Sequence, residues 1–166
     1  MQLKQMSLED VNTAVKIIDM AKQHLKEQGI DQWQNGYPDY ECIKNDARNN
    51  IGFFAIEDDT IYGYLCIDFS GEPAYDNLAG EWLSDEKYVV VHRLAMADEA
   101  RGKNLSSKIL KLVEELALQK GVNYIRVDTD ADNLKMQHLL KKNNFVYRGT
   151  IWFDNSEKIA FDKQIN

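Results

Sequence analysis

Apolar residues recur along this chain in two rhythms, one near 3.6 residues and one of two, and their alternation predicts an ordered series of elements. Residues 3–6 read as a short first strand. Ser7, with Asp10 three residues on, makes an approximate capping box. Val11, Ala14, Val15, Ile18 and Leu25 follow with helical spacing, so a helix is predicted over 8–28, ended by Gly29. Residues 31–38 read as a loop with two aromatic rings, and a second helix is predicted over 39–49. Residues 51–57 and 60–69 read as strands joined by a tight hairpin at Asp58-Asp59. In the second strand Tyr62, Tyr64, Cys66 and Asp68 share one face and Leu65, Ile67 and Phe69 the other. A long acidic connection over 70–86 holds Trp82, and a loop of that length in a compact domain is more often functional than idle. The most apolar strand is 88–96, expected to be buried on both faces. The helix after it carries a stripe of Leu105, Ile109, Leu112, Val113 and Leu116 and stops at Gly121. A strand over 122–129, a helix over 133–142 capped by Asp130 or Asp132, and an antiparallel pair, 145–153 with 158–162, complete the series. The order β-α-α-β-β-β-α-β-α-β-β predicts one α/β domain over 1–166, built around a mixed sheet with a β-α-β unit.

Composition narrows the class. The chain has 166 residues, 44% hydrophobic and 28% charged, which suits one soluble domain with a sizeable core. No apolar run approaches the ~20 residues that span a bilayer, and the N-terminus lacks a signal-peptide core. Cys42 and Cys66 show no metal-ligand spacing, so a cytoplasmic protein with reduced thiols and no metal is expected. The net charge of −7 argues against nucleic-acid binding, which needs a basic surface. It is compatible with a cationic substrate.

One turn carries most of the chemistry. Arg101, Gly102, Lys103, Asn104, Leu105, Ser106 and Ser107 lie between the apolar strand and the amphipathic helix. The first N–H groups of a helix lack intrahelical partners, and the helix dipole favours negative charge there. Small residues let a phosphate approach that backbone. A phosphorylated ligand is therefore expected at this turn. The Gly-x-Gly-x-x-Gly fingerprint and the P-loop Gly-Lys-Ser/Thr ending are both missing, which weighs against other nucleotides.

Here the chain resembles the GNAT superfamily of acyl-CoA-dependent N-acyltransferases over nearly its whole length. The family signature is Gln/Arg-x-x-Gly-x-Gly/Ala. Arg101 matches it, Gly102 matches a glycine often found beside that arginine, and Asn104 and Ser106 stand where the family prefers glycine and glycine or alanine, respectively. Asn tolerates left-handed backbone and Ser is small, so the departure is mild. Val127-Asp128-Thr129 followed by Asn133, Met136, Leu139, Leu140 and Phe145 is similar to the family's later strand and helix. Trp33, Gly36-Tyr37-Pro38, His92-Arg93 and 159–163 are similar to a bacterial subgroup that names no acceptor.

The resemblance implies a mostly antiparallel sheet flanked by helices and an acetyl transfer from acetyl-CoA to a primary amine by direct attack. The amides from Gly102 to Ser107 would cradle the pyrophosphate, with Arg101 and Lys103 adding charge. The backbone of Leu94, Ala95 and Met96 would pair with the pantetheine arm and polarise the thioester, and Asn133 would reach the same arm. His92 is the first candidate for the base, with Asp68, Glu81 and Asp128 as alternatives. The family's usual tyrosine acid aligns with Leu140, so Tyr147 or Tyr64 would have to replace it, or solvent. Trp33, Tyr37, Tyr64 and Trp82 are candidates for the wall of an acceptor pocket, where rings could hold a cationic amine. His24 is expected on a helix stripe and His138 on an exposed face. The acceptor is a small-molecule or protein amine. Read as a C-terminal edge strand, 158–162 could pair across a homodimer. The competing reading is a CoA-binding regulatory module without turnover.

Overall fold

Capping chemistry fixes where each helix starts and stops. The computed structural model describes all residues, Met1–Asn166. After β1 (Gln2–Gln5), the Ser7 amide and hydroxyl both donate to Asp10 Oδ2, at 2.7 and 2.9 Å. That box opens a 3-10 turn (Leu8–Asp10) and α1 (Val11–Glu27). α2 (Tyr40–Arg48) starts at Asp39, whose carboxylate accepts from the Cys42 amide at 2.8 Å. α3 spans Ser106–Gln119 and α4 Leu134–Lys142. All four helices end alike. A residue of positive φ follows each one, Gly29, Asn50, Gly121 or Asn144. The next amide, of Ile30, Ile51, Val122 or Phe145, then reaches back to the carbonyl of Leu25, Asp46, Ala117 or Leu140. The bond satisfies a carbonyl that the helix would leave unpaired, and the apolar residue after the turn is drawn back toward the helix.

The strands are β2 (Gly52–Glu57), β3 (Thr60–Asp68), β4 (Ala79–Gly80), β5 (Val89–Met96), β6 (Tyr124–Asp130), β7 (Val146–Phe153) and β8 (Ser156–Gln164), besides β1. The fold is mixed α/β with eight strands, mostly antiparallel, flanked by helices. The β2–β3 hairpin turns on Asp58 (φ 48°) and Asp59 (φ 62°), the two left-handed residues that match strand twist in a two-residue loop.

The chain folds as two compact units. The first comprises Met1–Ile67 and His92–Leu112, with strand order β1-β2-β3-β5. Its core gathers Ala14 and Ile18 of α1, Ile43 of α2, Phe54, Tyr64 and Ala95. The periodicity of α1 and α2 placed these residues on one face, and burying that face against the sheet is what stabilises both helices.

The second unit comprises Asp68–Val91 and Val113–Asn166. The start of β5 pairs in parallel with β6 at Val89↔Ile125 and Val90↔Arg126, and the order continues β6-β8-β7-β4. β8 thus lies between β6 and β7, with seven register pairs on each side. The expected edge strand at 158–162 is therefore an interior one, and it offers no free edge to a second copy. The connection over 70–86 is not plain loop. It contains a 3-10 turn (Pro73–Asn77) and β4, where Gly80 pairs with Gly149 so closely that a Cβ on Gly80 would meet the Arg148 carbonyl oxygen at 2.0 Å. Two residues without alternation carry no strand signal, so β4 was invisible to periodicity.

Three further details differ from expectation. Asn133 caps α4, accepting from the Met136 amide at 3.1 Å, in place of Asp130 or Asp132. Along α3 the buried positions are Ile109, Leu110, Val113 and Ala117, while Leu105, Leu112 and Leu116 are half-buried. Strand β5 is buried from Val89 to His92, whereas Arg93 and Leu94 are partly exposed.

Candidate active site

The turn singled out from sequence belongs to the first unit. β5 ends at Met96, a 3-10 turn follows (Asp98–Ala100), and the chain passes through Gly102 (φ 73°) and Asn104 (φ 53°) before α3 begins. Asparagine is among the few non-glycine residues that take this conformation readily. Asn104 therefore does what a glycine would do at that point. Arg101, Gly102, Lys103 and Asn104 are exposed, and Leu105, Ser106 and Ser107 are half-buried. The Ile109 amide makes an α-helical bond to the Leu105 carbonyl at 3.0 Å. Helix geometry leaves the amides at its start without a helical acceptor, while the Lys103 amide donates to the Ala100 carbonyl at 3.1 Å.

Two neighbours support the cations of this turn. The Lys103 ammonium lies 4.9 Å from the centre of the Tyr62 ring. Arg101 Nη2 lies 2.8 Å from His24 Nδ1, and His24 Nε2 lies 2.9 Å from Asp98 Oδ1. His24 is thus not a simple stripe residue of α1. It reaches Asp98 and Arg101, partners that its spacing in the helix could not reveal.

β5 brings the other first-unit candidates together. His92 is buried at 8% exposure. Arg93, next to it, has φ 55°, outside the range of extended strands. Its guanidinium spans two partners: Nε and Nη2 meet Asp46 Oδ2 and Oδ1 at 2.9 and 2.6 Å, and Nη1 donates to the Tyr37 hydroxyl at 2.7 Å. Asp46 also accepts from the Tyr64 hydroxyl. Tyr64 has no exposed surface and packs edge-on against Phe54. Burial, then the charge of Asp46, raises its phenol far above the ordinary tyrosine range. Tyr64 therefore neither lines an open pocket nor gives up a proton near neutrality. Tyr37 is half-buried on Arg93, and Trp33 packs half-buried against the first-unit core. Sequence reading passed over Asp46 and gave Arg93 no role. The signal was there: an aspartate at helical spacing from Ile43 and beside Ala47 on the buried face of α2, and an arginine inside the most apolar strand. A charge at a core position implies a partner.

The second unit holds Trp82, Asn133, Asp128 and Leu140. Asp128 does not pair with Arg126. Its Oδ1 accepts from the Tyr75 hydroxyl at 2.6 Å, and burial pushes its carboxyl up to about 6 although that hydrogen bond pulls the other way. Tyr75 is fully buried, with Trp82 at 5.3 Å and Tyr88 at 6.3 Å between ring centres. Trp82 donates its indole N–H to the Tyr75 carbonyl at 2.9 Å, so its ring is tied into the connection. Asn133 is a buried N-cap. Leu140 is a core residue at 2% exposure, while Tyr147 is exposed and stands edge-on to Phe161. Asp68 accepts from the Ser70 amide and hydroxyl at 2.8 and 2.6 Å, a local turn, and Glu81 and His138 are exposed. Cys42 and Cys66 are not joined in a disulfide, no group of three or more His, Cys, Asp or Glu could hold a metal ion, and no helix is long and apolar enough to cross a membrane.

Comparison with known proteins agrees with this fold. No curated protein matches the sequence. Among solved structures, a GNAT-family acetyltransferase from Streptococcus agalactiae 2603 is 28% identical, covers 99% of this chain and 95% of its own, and superposes with a TM-score of 0.89. A GNAT-family acetyltransferase from Listeria monocytogenes 4b F2365 is 19% identical over 98% of this chain and 94% of its own, with a TM-score of 0.78. The aminoglycoside acetyltransferase AAC(6')-Ib, solved with coenzyme A and kanamycin, shares the fold at 18% identity and a TM-score of 0.70, covering 98% of this chain and 94% of its own. The model of the acetyltransferase (GNAT) family matches residues 18–145, from α1 through the end of α4, and the chain belongs to that family.

Proposed function

We propose that this chain is an acetyl-CoA-dependent N-acetyltransferase that passes an acetyl group to a primary amine by direct attack in a ternary complex, the whole chain acting as one acyltransferase domain. The observation that carries this reading is the turn ahead of α3. A left-handed glycine and a left-handed asparagine, flanked by two exposed cations, lead into the start of a 14-residue helix. Such a turn gathers backbone donors and positive charge around an anion of pyrophosphate size. A Cβ at Gly102 would meet nothing within 4 Å, so its neighbours leave room for a ligand.

Each residue has a bounded task. The amides from Gly102 to Ser107 bind the pyrophosphate, apart from that of Lys103, which donates to the Ala100 carbonyl at 3.1 Å, and the Arg101 and Lys103 side chains add charge-assisted contacts. The backbone of Leu94, Ala95 and Met96 orients the pantetheine arm, with Asn133 a further contact. Acetyl-CoA supplies an activated acyl group and a tolerable leaving group, since a thiol ionises near 8.5. An alkyl amine ionises near 10.4 and must lose a proton before it attacks. His92 is the first candidate to take that proton. Asp128 is the second, because a carboxyl at about 6 is closer to neutrality than an ordinary one. Trp33, Tyr37 and Trp82 remain candidates for contact with an amine on a small molecule or a protein.

The test begins with calorimetric titration of acetyl-CoA against ATP and NAD. Selective binding at micromolar concentration is expected, and equal binding of all three would refute the cradle. A panel of amines, followed by thiol release, then reads turnover. His92→Gln should lower the rate far more than it changes acetyl-CoA affinity, and Asp128→Asn should do so only if the carboxylate is the base. Leu140, packed in the core where the family's tyrosine stands, favours a second reading, a regulatory CoA-binding module. Binding without turnover on any amine would select it.

A further inference from the structure

Strands do not ordinarily use the backbone angle found at Arg93. A left-handed φ of 55° inside β5 is costly for a bulky L-residue and persists only when its surroundings hold it. Here the surroundings hold it from two sides. Asp46 takes the guanidinium in a bidentate pair at 2.9 and 2.6 Å, and the Tyr37 hydroxyl accepts a third bond at 2.7 Å. Asp46 is itself buried and fixed by Tyr64. An ion pair meant only to fill the core needs no such backbone, because an arginine in extended conformation would serve as well. The kink also has a location. It falls between His92, the candidate base, and Leu94, the first of the backbone positions assigned to the cofactor arm. A left-handed residue within a strand turns the peptide that follows it, and thereby decides where the next amide points.

We propose that Arg93 is a positioning residue: clamped by Asp46 and Tyr37, it holds the left-handed kink that aims the Leu94 amide at the thioester carbonyl. The proposal rests on the acetyl-transfer reading above. It also ties the loop that carries Tyr37 to β5 through one guanidinium, so a ligand that moves Tyr37 would be felt at Leu94.

The experiment separates backbone angle from ion pair. Two double variants remove the clamp without leaving a buried carboxylate unpaired, Asp46→Asn with Arg93→Gly and Asp46→Asn with Arg93→Ala. Glycine takes a φ of 55° without strain and alanine does not. Acetyl-CoA labelled with carbon-13 at the thioester carbonyl is bound to each protein, and the carbonyl stretch is read by infrared difference spectroscopy. A hydrogen bond from an aimed amide moves that band to lower wavenumber. The alanine pair should lose most of the shift and roughly tenfold or more in thiol release to water, with affinity changed less than about threefold. The glycine pair should keep the greater part of both. Equal values in the two pairs, whether high or low, would overturn the proposal. If either pair fails to fold by circular dichroism, Tyr37→Phe leaves the ion pair in place and should show a smaller loss of band shift; an unchanged band would overturn the proposal. A wild-type chain that binds no acetyl-CoA would overturn the acetyl-transfer reading itself, and the titration shows this before any variant is made.

Discussion

Two arginines lose most of their water in this chain, and each is held by a different chemistry. In the first unit the Arg93 side chain, 10% exposed, faces the buried carboxylate of Asp46. In the second unit Arg126, 4% exposed, has no carboxylate partner. It lies over the rings of Tyr88, Trp82 and Tyr124, at 4.0, 4.3 and 5.2 Å from their centres, and Nη2 donates to the Ser84 carbonyl at 2.6 Å. Its Nε has no hydrogen-bond partner. The carboxylate held by Tyr124 is already taken: Asp162 accepts from Arg148 Nε at 2.7 Å, the Leu83 amide at 2.9 Å and the Tyr124 hydroxyl. Burying a cation is costly either way. A carboxylate offsets the cost by Coulomb attraction and fixes geometry through two bonds. Aromatic faces offset it less, at about 0.5–2 kcal/mol, but they tolerate imprecise placement. Precision therefore sits in the first unit, at β5. In the second unit the rings of the 70–88 segment cover the start of β6.

The largest test sets the two arginines against each other. Arg93→Met leaves Asp46 buried and unpaired and should cost about 3–5 kcal/mol in denaturant unfolding. Arg126→Met strands no charge and removes an orphaned donor, so it should cost less than about 1 kcal/mol or even stabilise. Equal losses would end the distinction.

The second test uses pH on the Tyr75–Asp128 pair. The folded Asp128 carboxyl, at about 6, lies above its unfolded value, so the folded state holds the proton more tightly. That contribution is full below about pH 4 and is lost as pH rises through 6, and for a half-buried carboxyl it stays below about 3 kcal/mol. Thermal melts from pH 4 to 7 should show the decline in the wild type, and Asp128→Asn should flatten it. A decline of the same size in the variant would assign it elsewhere.

A third arginine sharpens the contrast, because Arg101 is exposed and meets His24 at the surface rather than a buried carboxylate or ring. Arg101→Glu should weaken acetyl-CoA binding by roughly tenfold or more while the melting temperature stays near the wild-type value. An unchanged dissociation constant would remove Arg101 from the cradle. The smallest effect is expected from Tyr75→Phe, which deletes one hydrogen bond worth about 1 kcal/mol. Because that bond lowers the Asp128 value, its loss should move the pH midpoint upward, and a downward movement would contradict the assignment.

What could be read in advance follows the range of the forces involved. The helices were legible because each is written locally: apolar spacing gives the face, Ser7-Asp10 gives a start, and Gly29 and Gly121 give stops. The hairpin at Asp58-Asp59 and the turn from Arg101 to Ser107 were legible for the same reason, since each depends on a few adjacent φ angles. The Asn133 cap was missed because several acids nearby could have capped equally well. β4 was missed because two residues have no period. The clamp on Arg93 joins residues 47 apart in sequence, and the Tyr75–Asp128 bond joins residues 53 apart.

The sequence by itself determined the longer elements, their order, the turn from Arg101 to Ser107 and the family, because those rest on short-range periodicity and on adjacent backbone conformations. Only the tertiary structure decided that β8 is interior, that Tyr64 serves Asp46 rather than a pocket, and that one buried arginine meets a carboxylate while the other meets rings. Those outcomes depend on which distant side chains are desolvated together, and a buried charge or hydroxyl takes whatever partner the packing brings within hydrogen-bond reach.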